Sequence, residues 1–252
     1  MTQSDSKKFY NEVMPKKFGS DYEYWRWRAD PIREVGYQQT LHVVREFLDK
    51  LKERPETILE IGPGAGTWTK EILARFPSAR LTLLDVSSEM LARAERAIGS
   101  GKAKLVESDI LTYESDEPYD LLFASRMVEY VEHKRHLVER FSALLAPGGV
   151  GFIITKMPHY DRDVFWGRRL SRFHRGQIAP NALRGMLLEE GLEVTEAYPV
   201  TASVPLLRSA LANRFAGWVI QKRPLNVFSG SFVESYCVAF RKPTRMTGEY
   251  DN

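Results

Sequence analysis

Between residues 57 and 156, short apolar runs alternate with amphipathic ones, and this alternation restricts the fold more than any other feature of the chain. "TILEIG" (57–62) is a run of strand formers that ends in glycine. "TWTKEILARF" (67–76) has helical spacing and is stopped by Pro77. "LTLLDV" (81–86), "KLVESD" (104–109), "YDLLFAS" (119–125) and "VGFIITK" (150–156) read as four further strands. After the second strand, Ser87 or Ser88 can cap a helix with Met90, Leu91, Ala94, Ala97 and Ile98 on one face, closed by Gly99. A helix over 133–145 turns Leu137, Phe141, Leu144 and Leu145 inward, and "APGG" (146–149) is its turn. Strands this short and apolar are buried on both faces. Helices between them build right-handed βαβ units, so the pattern predicts an α/β fold with a parallel sheet.

The flanks are less regular. Asp30 can cap a helix that starts at Pro31 and presents Val44, Phe47, Leu48 and Leu51 on one face, ending before Pro55. Residues 1–29 carry Phe9, Tyr10, Phe18, Tyr22, Tyr24, Trp25 and Trp27 with poor periodicity, which predicts loops and a short helix. Beyond 156 come a helix near 180–190, a strand over 193–201, a mixed apolar segment at 205–222 and a final strand at 231–240. A hydrophobic fraction of 43% over 252 residues suits one domain, with a cap (1–54), a core (55–156) and a substrate-side portion (157–252). The balance of 36 Lys+Arg against 33 Asp+Glu gives only +3, which does not argue for nucleic acid. No run of about 18 apolar residues is present, so no membrane span is expected. The first residues lack the apolar stretch of a secretory signal. A single cysteine, Cys237, cannot form an intramolecular disulfide, which points to a reducing, cytoplasmic setting.

The turn after the first strand reads "LEIGPGAGT" (59–67). A glycine turn leading into a helix suits a phosphate. A P-loop, however, needs Gly-Lys-Ser/Thr, and Gly66 is followed by Thr67 and Trp68. A dinucleotide fingerprint needs G-x-G-x-x-G, and Gly62, Gly64 and Gly66 give G-x-G-x-G. Glu60, two residues before Gly62, would repel a pyrophosphate and favour a cationic or donor-rich ligand. Asp85 closes the second strand, where an acid can accept from ribose hydroxyls. Asp109 closes the third, and with Ile110 it could address a purine. Each acid alone could merely cap the next helix, but together they mark one edge of the sheet.

"LEIGPGAGT", "LLDVSSEML", "ESDIL", "YDLLFASRMVEYV" and "LLAPGG" resemble class I S-adenosylmethionine (SAM)-dependent methyltransferases, in particular the small-molecule branch that includes quinone-biosynthesis enzymes. The resemblance covers residues 55–156 well and the ends loosely. It implies a Rossmann-like, seven-stranded, mostly parallel sheet whose last strand is antiparallel beside the fifth. It implies SAM as cofactor, with S-adenosyl-L-homocysteine as product. Glu60, Gly62, Gly64 and Gly66 would hold the methionine part, Asp85 the ribose, Val86 and Met90 the surroundings of the adenine, and Asp109 and Ile110 the adenine itself. Ser125 and Arg126 would lie near the transferring methyl. The family closes this stretch with a Glu-His-Val-like run, where this chain has Glu129, Tyr130 and Val131.

Methyl transfer from a sulfonium needs alignment more than acid-base chemistry. Few catalytic candidates stand out accordingly. His159 in "KMPHY" could act as a base or be a plain loop residue. His133 and His136 have helical spacing but no third ligand, so no metal is expected. Tyr24 and Trp25 could exclude water above the cofactor and, with Glu129 and Tyr130, border the acceptor, or could pack beneath the next helix. The stretch "RDVFWGRRLSRFHR" (162–175) could meet an anionic substrate or RNA, or form a solvated basic helix. The run 204–220 could roof a lipophilic acceptor, form a homodimer face or cover the sheet. The expected activity is methyl transfer to oxygen or nitrogen of a small metabolite. The alternatives are an RNA or protein methyltransferase and a SAM-binding protein without turnover.

Overall fold

The computed structural model describes residues 3–158, 176–202, 209–221 and 233–244. His159, the basic stretch at 162–175 and residues 204–208 of the apolar run lie outside them. Seven strands form one sheet: β1 (Thr57–Ile61), β2 (Arg80–Asp85), β3 (Lys104–Glu107), β4 (Tyr119–Ser125), β5 (Leu145–Lys156), β6 (Glu193–Ala202) and β7 (Val233–Arg241). Their order is β3-β2-β1-β4-β5-β7-β6. The first five strands pair in parallel, and β7 runs antiparallel between β5 and β6. The order reverses direction at β1, where β2 and β4 lie on either side. In open α/β sheets the ligand crevice lies at such a switch point, beyond the carboxyl ends of the strands.

The strands alternate their side chains between two cores. In β1, Leu59 and Ile61 enter one apolar cluster and Ile58 enters the other. The first cluster packs under α7 (Lys134–Leu144) and α8 (Pro180–Glu189). The second packs under α4 (Pro31–Lys50), α5 (Thr67–Arg75) and α6 (Ser88–Ile98). Phe47 of α4 stacks on Phe152 of β5 with ring centroids 3.9 Å apart. The α4 cap is as expected: the Asp30 carboxylate accepts from the amides of Ile32 (2.9 Å) and Arg33 (3.0 Å). A further helix, α9 (Ala210–Ile220), lies against α4 and β6.

Two regions differ from the expectation. Residues 3–27 are almost wholly helical rather than loops around one short helix. They form α1 (Gln3–Lys8), a wide turn at Phe9–Val13, α2 (Met14–Phe18), a tight turn at Gly19–Asp21 and α3 (Tyr22–Trp27). Each piece points its aromatics at a different partner, so no single helical period runs through the segment. Met14 and Tyr22 pack on Met90 of α6, with Phe9, Tyr10 and Phe18 around them. The second difference is "APGG", which is a bulge within β5 rather than a separate turn. The pairing with β4 jumps from Tyr119↔Leu145 to Leu121↔Val150. The displaced backbone is paired by Lys242 beyond β7, which accepts from Gly148 N (2.8 Å) and donates to Gly149 O (2.9 Å).

Candidate functional site

The glycine turn begins where β1 ends. Gly62 N donates to Leu84 O (2.8 Å), tying the turn to β2. Gly62 has φ +68°, and a Cβ there would lie 2.9 Å from Met127 Cβ, so both conformation and space require glycine. Gly66 has φ +82° and caps α5, and its added Cβ would lie 3.1 Å from Ala94 Cα. Gly66 therefore lets α5 approach α6 and does not border the cleft. Gly64 does border it, beside the guanidinium of Arg26.

The cleft holds about 700 Å³ of empty space, part of it open to solvent. Leu84, Val86, Met90 and Ile110 give it an apolar wall. Asp85 closes β2, and its Oδ1 accepts from Ser87 N (2.9 Å). Burial pushes its carboxyl up to about 7. Ser87 Oγ accepts from Met90 N (3.1 Å) and starts α6, as its position suggests. Glu60 is 1% exposed, and its Oε2 has no hydrogen-bond partner. Burial, reinforced by the Asp85 charge, pushes Glu60 up to about 8. Asp109 is less directly engaged. Its Oδ1 accepts from Leu111 N (2.7 Å) and shapes the turn after β3, while Ser108 and Ile110 on either side border the cleft.

The end of β4 supplies the opposite wall. Ser125 borders the cleft, and its buried hydroxyl has no partner. Arg126 follows with φ +62°, the only non-glycine residue with positive φ among those described. Its amide donates to Ile154 O (2.8 Å) and its Nε to Glu129 Oε1 (2.9 Å). Glu129 is 5% exposed and also accepts from the Thr155 hydroxyl (3.1 Å). Burial works to raise its pKa, but the charge and hydrogen bond of Arg126 outweigh it and hold the carboxyl below the usual value. Lys134 donates to the carbonyls of Val128 and Val131 and braces the short helical turn between them.

The N-terminal helices roof the cleft through Ser6, Tyr10 and Arg26. Ser6 is buried, and its hydroxyl is unpartnered. Tyr10 donates to the Tyr130 hydroxyl (3.1 Å), closing the roof onto the far wall. Asn11 accepts from the Ser87 hydroxyl (2.6 Å), and Thr67 donates to Glu23. Tyr24 and Trp25 do not take the place expected of them. They are 54% and 46% exposed and sit on the outer side of α3, which turns Tyr22 and Arg26 inward instead. Ser6, Tyr10 and Arg26 escaped notice because no periodic pattern marks them. Their one signal was the aromatic density of the segment. Exposed His133 and His136 stay on the α7 side, and no group of three or more potential metal ligands occurs among the described residues.

The donor set fits a nucleoside with a cationic amino-acid tail. Burial holds the carboxyls of Glu60 and Asp85 back from ionising. An apolar slot suits a purine. Orphaned buried hydroxyls on Ser125 and Ser6, both lining the cleft, leave polar positions for a ligand to satisfy.

Residues 59–150 match the family model described as "Methyltransferase domain". That stretch of the chain is similar to methyltransferase domains. Among similar proteins, a malonyl-[acyl-carrier protein] O-methyltransferase of Ilyobacter polytropus is 31% identical over 142 residues, covering 54% of this chain and 53% of that protein. A trans-aconitate 2-methyltransferase of Pseudomonas aeruginosa is 32% identical over 144 residues, covering 57% and 50%. The chain thus spans about half the length of the sequence relatives it matches. The fold matches further. The N-methyltransferase NodS of Bradyrhizobium japonicum, solved with S-adenosyl-L-homocysteine, aligns over 93% of this chain and 98% of its own, with TM-score 0.60 and 20% identity. The plantazolicin methyltransferase BpumL, also solved with that ligand, aligns over 96% and 95%, with TM-score 0.60 and 16% identity. No helix among the described residues is long and apolar enough to cross a membrane.

Proposed function

We propose that the chain binds SAM in this cleft and transfers its methyl group to oxygen or nitrogen of a small-molecule acceptor by in-line displacement. The observation that carries the reading is the pairing of two strand-end carboxyls, Glu60 and Asp85, at the switch point of the sheet, both held back from ionising by burial. The methyltransferase match over 59–150 and the relatives' names support it.

When bound, the cofactor supplies a sulfonium-activated methyl group and a neutral leaving group. The chain's part is to bind, orient and exclude water. Glu60 and the backbone of the glycine turn would take the cationic amino end of the tail, with Arg26 toward its carboxylate. Asp85 would accept from the ribose hydroxyls. Val86, Met90 and Ile110 would flank the adenine. Ser125 and Arg126 stand at the end of β4, opposite Tyr10, where the acceptor would meet the methyl. Alignment of the two reactants can provide much of the rate enhancement, so no covalent catalysis by the protein is required. Burial raises the Tyr10 and Tyr130 phenols above their ordinary pKa, so both serve as neutral hydrogen-bonding groups near pH 7.

Calorimetric titration with S-adenosyl-L-homocysteine tests the cofactor, and transfer of label from methyl-labelled SAM to components of a cell extract tests the reaction. Saturable binding and a labelled small product are expected. Absence of binding at millimolar ligand would sink the assignment.

A further inference from the structure

Helix α9 inverts the usual amphipathic arrangement. A surface helix normally turns its apolar residues toward the core and its polar residues outward. The buried face of α9 holds one large apolar residue, Ile220, beside Asn213 and Gly217. The Gln39 side chain of α4 donates to Asn213 O (3.0 Å) and accepts from Ala202 N (3.2 Å), and a Cβ on Gly217 would run into Gln39 Nε2. The Gln221 side chain, just past the helix, donates to Val200 O (2.8 Å). The outward face carries Leu211, Phe215 and Trp218, which are 77%, 67% and 60% exposed. They fall at i, i+4 and i+7, so they form one stripe along the helix. Polar contacts and a close approach hold α9 to the domain, while its largest apolar side chains point away from that packing.

The charge around the stripe selects what can cover it. Residues 197–233 hold Arg208, Arg214, Lys222 and Arg223 and no Asp or Glu, in a chain with 33 acids overall. Arg214 is exposed and lies one turn from Trp218 on the same side of α9. The acids across the neighbouring groove, Glu34 and Glu46 of α4, already face Arg28 (3.9 Å) and Lys50 (2.9 Å). A second copy laid on this stripe would bring like charges together. An anionic bilayer attracts the same charges, and its headgroup boundary accepts Leu, Phe and Trp side chains. An arginine beside them can lay its stem along the apolar layer and keep its guanidinium among the headgroups.

We propose that α9 docks the protein on an anionic membrane surface, lying in the headgroup plane with Leu211, Phe215 and Trp218 inserted and Arg214 against lipid phosphates. The helix lies on the bilayer and does not cross it, since it has 11 residues and a span needs about 20. None of these four side chains borders the cofactor cleft, so docking stands independently of the methyl-transfer reading.

Flotation with vesicles of equal parts phosphatidylcholine and phosphatidylglycerol, set against vesicles of phosphatidylcholine alone, tests the proposal. Binding to the anionic vesicles is expected, and salt should weaken it. The double variant Phe215→Ser/Trp218→Ser should bind at least about tenfold more weakly, the scale of withdrawing two large side chains from an apolar phase. Arg214→Glu should weaken binding severalfold. All three residues are exposed, so the thermal midpoints of these variants should match the parent's. Trp218→Phe should still bind but lose most of the fluorescence quenching that lipids with brominated acyl chains produce in the parent. Absence of binding to anionic vesicles, or binding unchanged by Arg214→Glu and by the double substitution, would overturn the proposal. Quenching unchanged in Trp218→Phe would put another face on the bilayer and overturn it as well. So would a parent that is dimeric by light scattering and monomeric in the double variant, since a second copy would then cover the stripe.

Discussion

At the scale of single residues, Glu60 is a deeply buried acid just before the glycine turn. A carboxyl held at about 8 in the folded chain and near its ordinary value when unfolded makes the empty protein less stable as pH rises. The sign follows from proton counts. Between about pH 4 and 8 the folded form keeps a proton that the unfolded form has released, so unfolding is favoured as pH increases. Asp85, at about 7, adds to the same trend. The thermal midpoint of the empty protein should therefore fall from pH 5 to pH 8, and Glu60→Gln should flatten that slope. Scanning fluorimetry across pH reads both, and a flat profile for the parent protein would contradict the burial of these acids. A ligand's ammonium group near these acids would offset the penalty, so S-adenosyl-L-homocysteine should raise the midpoint more at pH 8 than at pH 6. Asp85→Ala should weaken that ligand by more than about 1 kcal/mol, the scale of lost hydrogen bonds to a polar group, and calorimetry would show it. Cys237 takes no part: it is buried in β7, its Sγ 3.5 Å from the Tyr198 carbonyl, and burial pushes its thiol up to about 12.

At the scale of elements, caps and close approaches decide where helices start and how near they pack. Asp30 satisfies two amides at the start of α4, so Asp30→Ala should cost about 1 kcal/mol in a denaturant titration. Gly66→Ala should cost at least as much. It places a Cβ at φ +82° and 3.1 Å from the α6 backbone, so the change combines backbone strain with a steric clash. A neutral result would mean that α5 and α6 are not held at this distance. These elements were largely legible. The apolar faces of α6 and α7, the cap at Ser87 and the span of β4 follow from spacing, because each depends on neighbours within one turn or one strand. The bulge at "APGG" was not legible, since its amide and carbonyl partners lie on Lys242, far along the chain.

At the scale of the whole molecule, the cleft is completed by the N-terminal helices. Ser6, Tyr10 and Arg26 contribute to it, and the links from Tyr10 to Tyr130 and from Asn11 to Ser87 hold the roof down. These contacts are few, and the three buried residues of the cluster beneath them, Met14, Tyr22 and Met90, form a small core. Residues 3–27 should therefore be cut by protease well before the sheet, and S-adenosyl-L-homocysteine should slow that cleavage several-fold, since a ligand beneath the roof stabilises the closed form. Mass spectrometry of the fragments reads the outcome, and unchanged cleavage would detach the roof from ligand binding.

The sequence by itself determined the layered α/β plan, the acids and glycines at one edge of the sheet, and the rejection of a phosphate cradle. Those features rest on periodicity and on chemistry carried by residues close together in the chain. Tertiary structure alone decided which of them share a cavity. It turned Tyr24 and Trp25 outward and Arg26 inward, gave Gly66 to helix packing and Asp109 to a turn, and brought Arg126, just past β4, to the same cleft as Tyr10. The physical reason is that the direction of a side chain in a short helix, and the charge next to it, depend on partners up to more than 100 residues away.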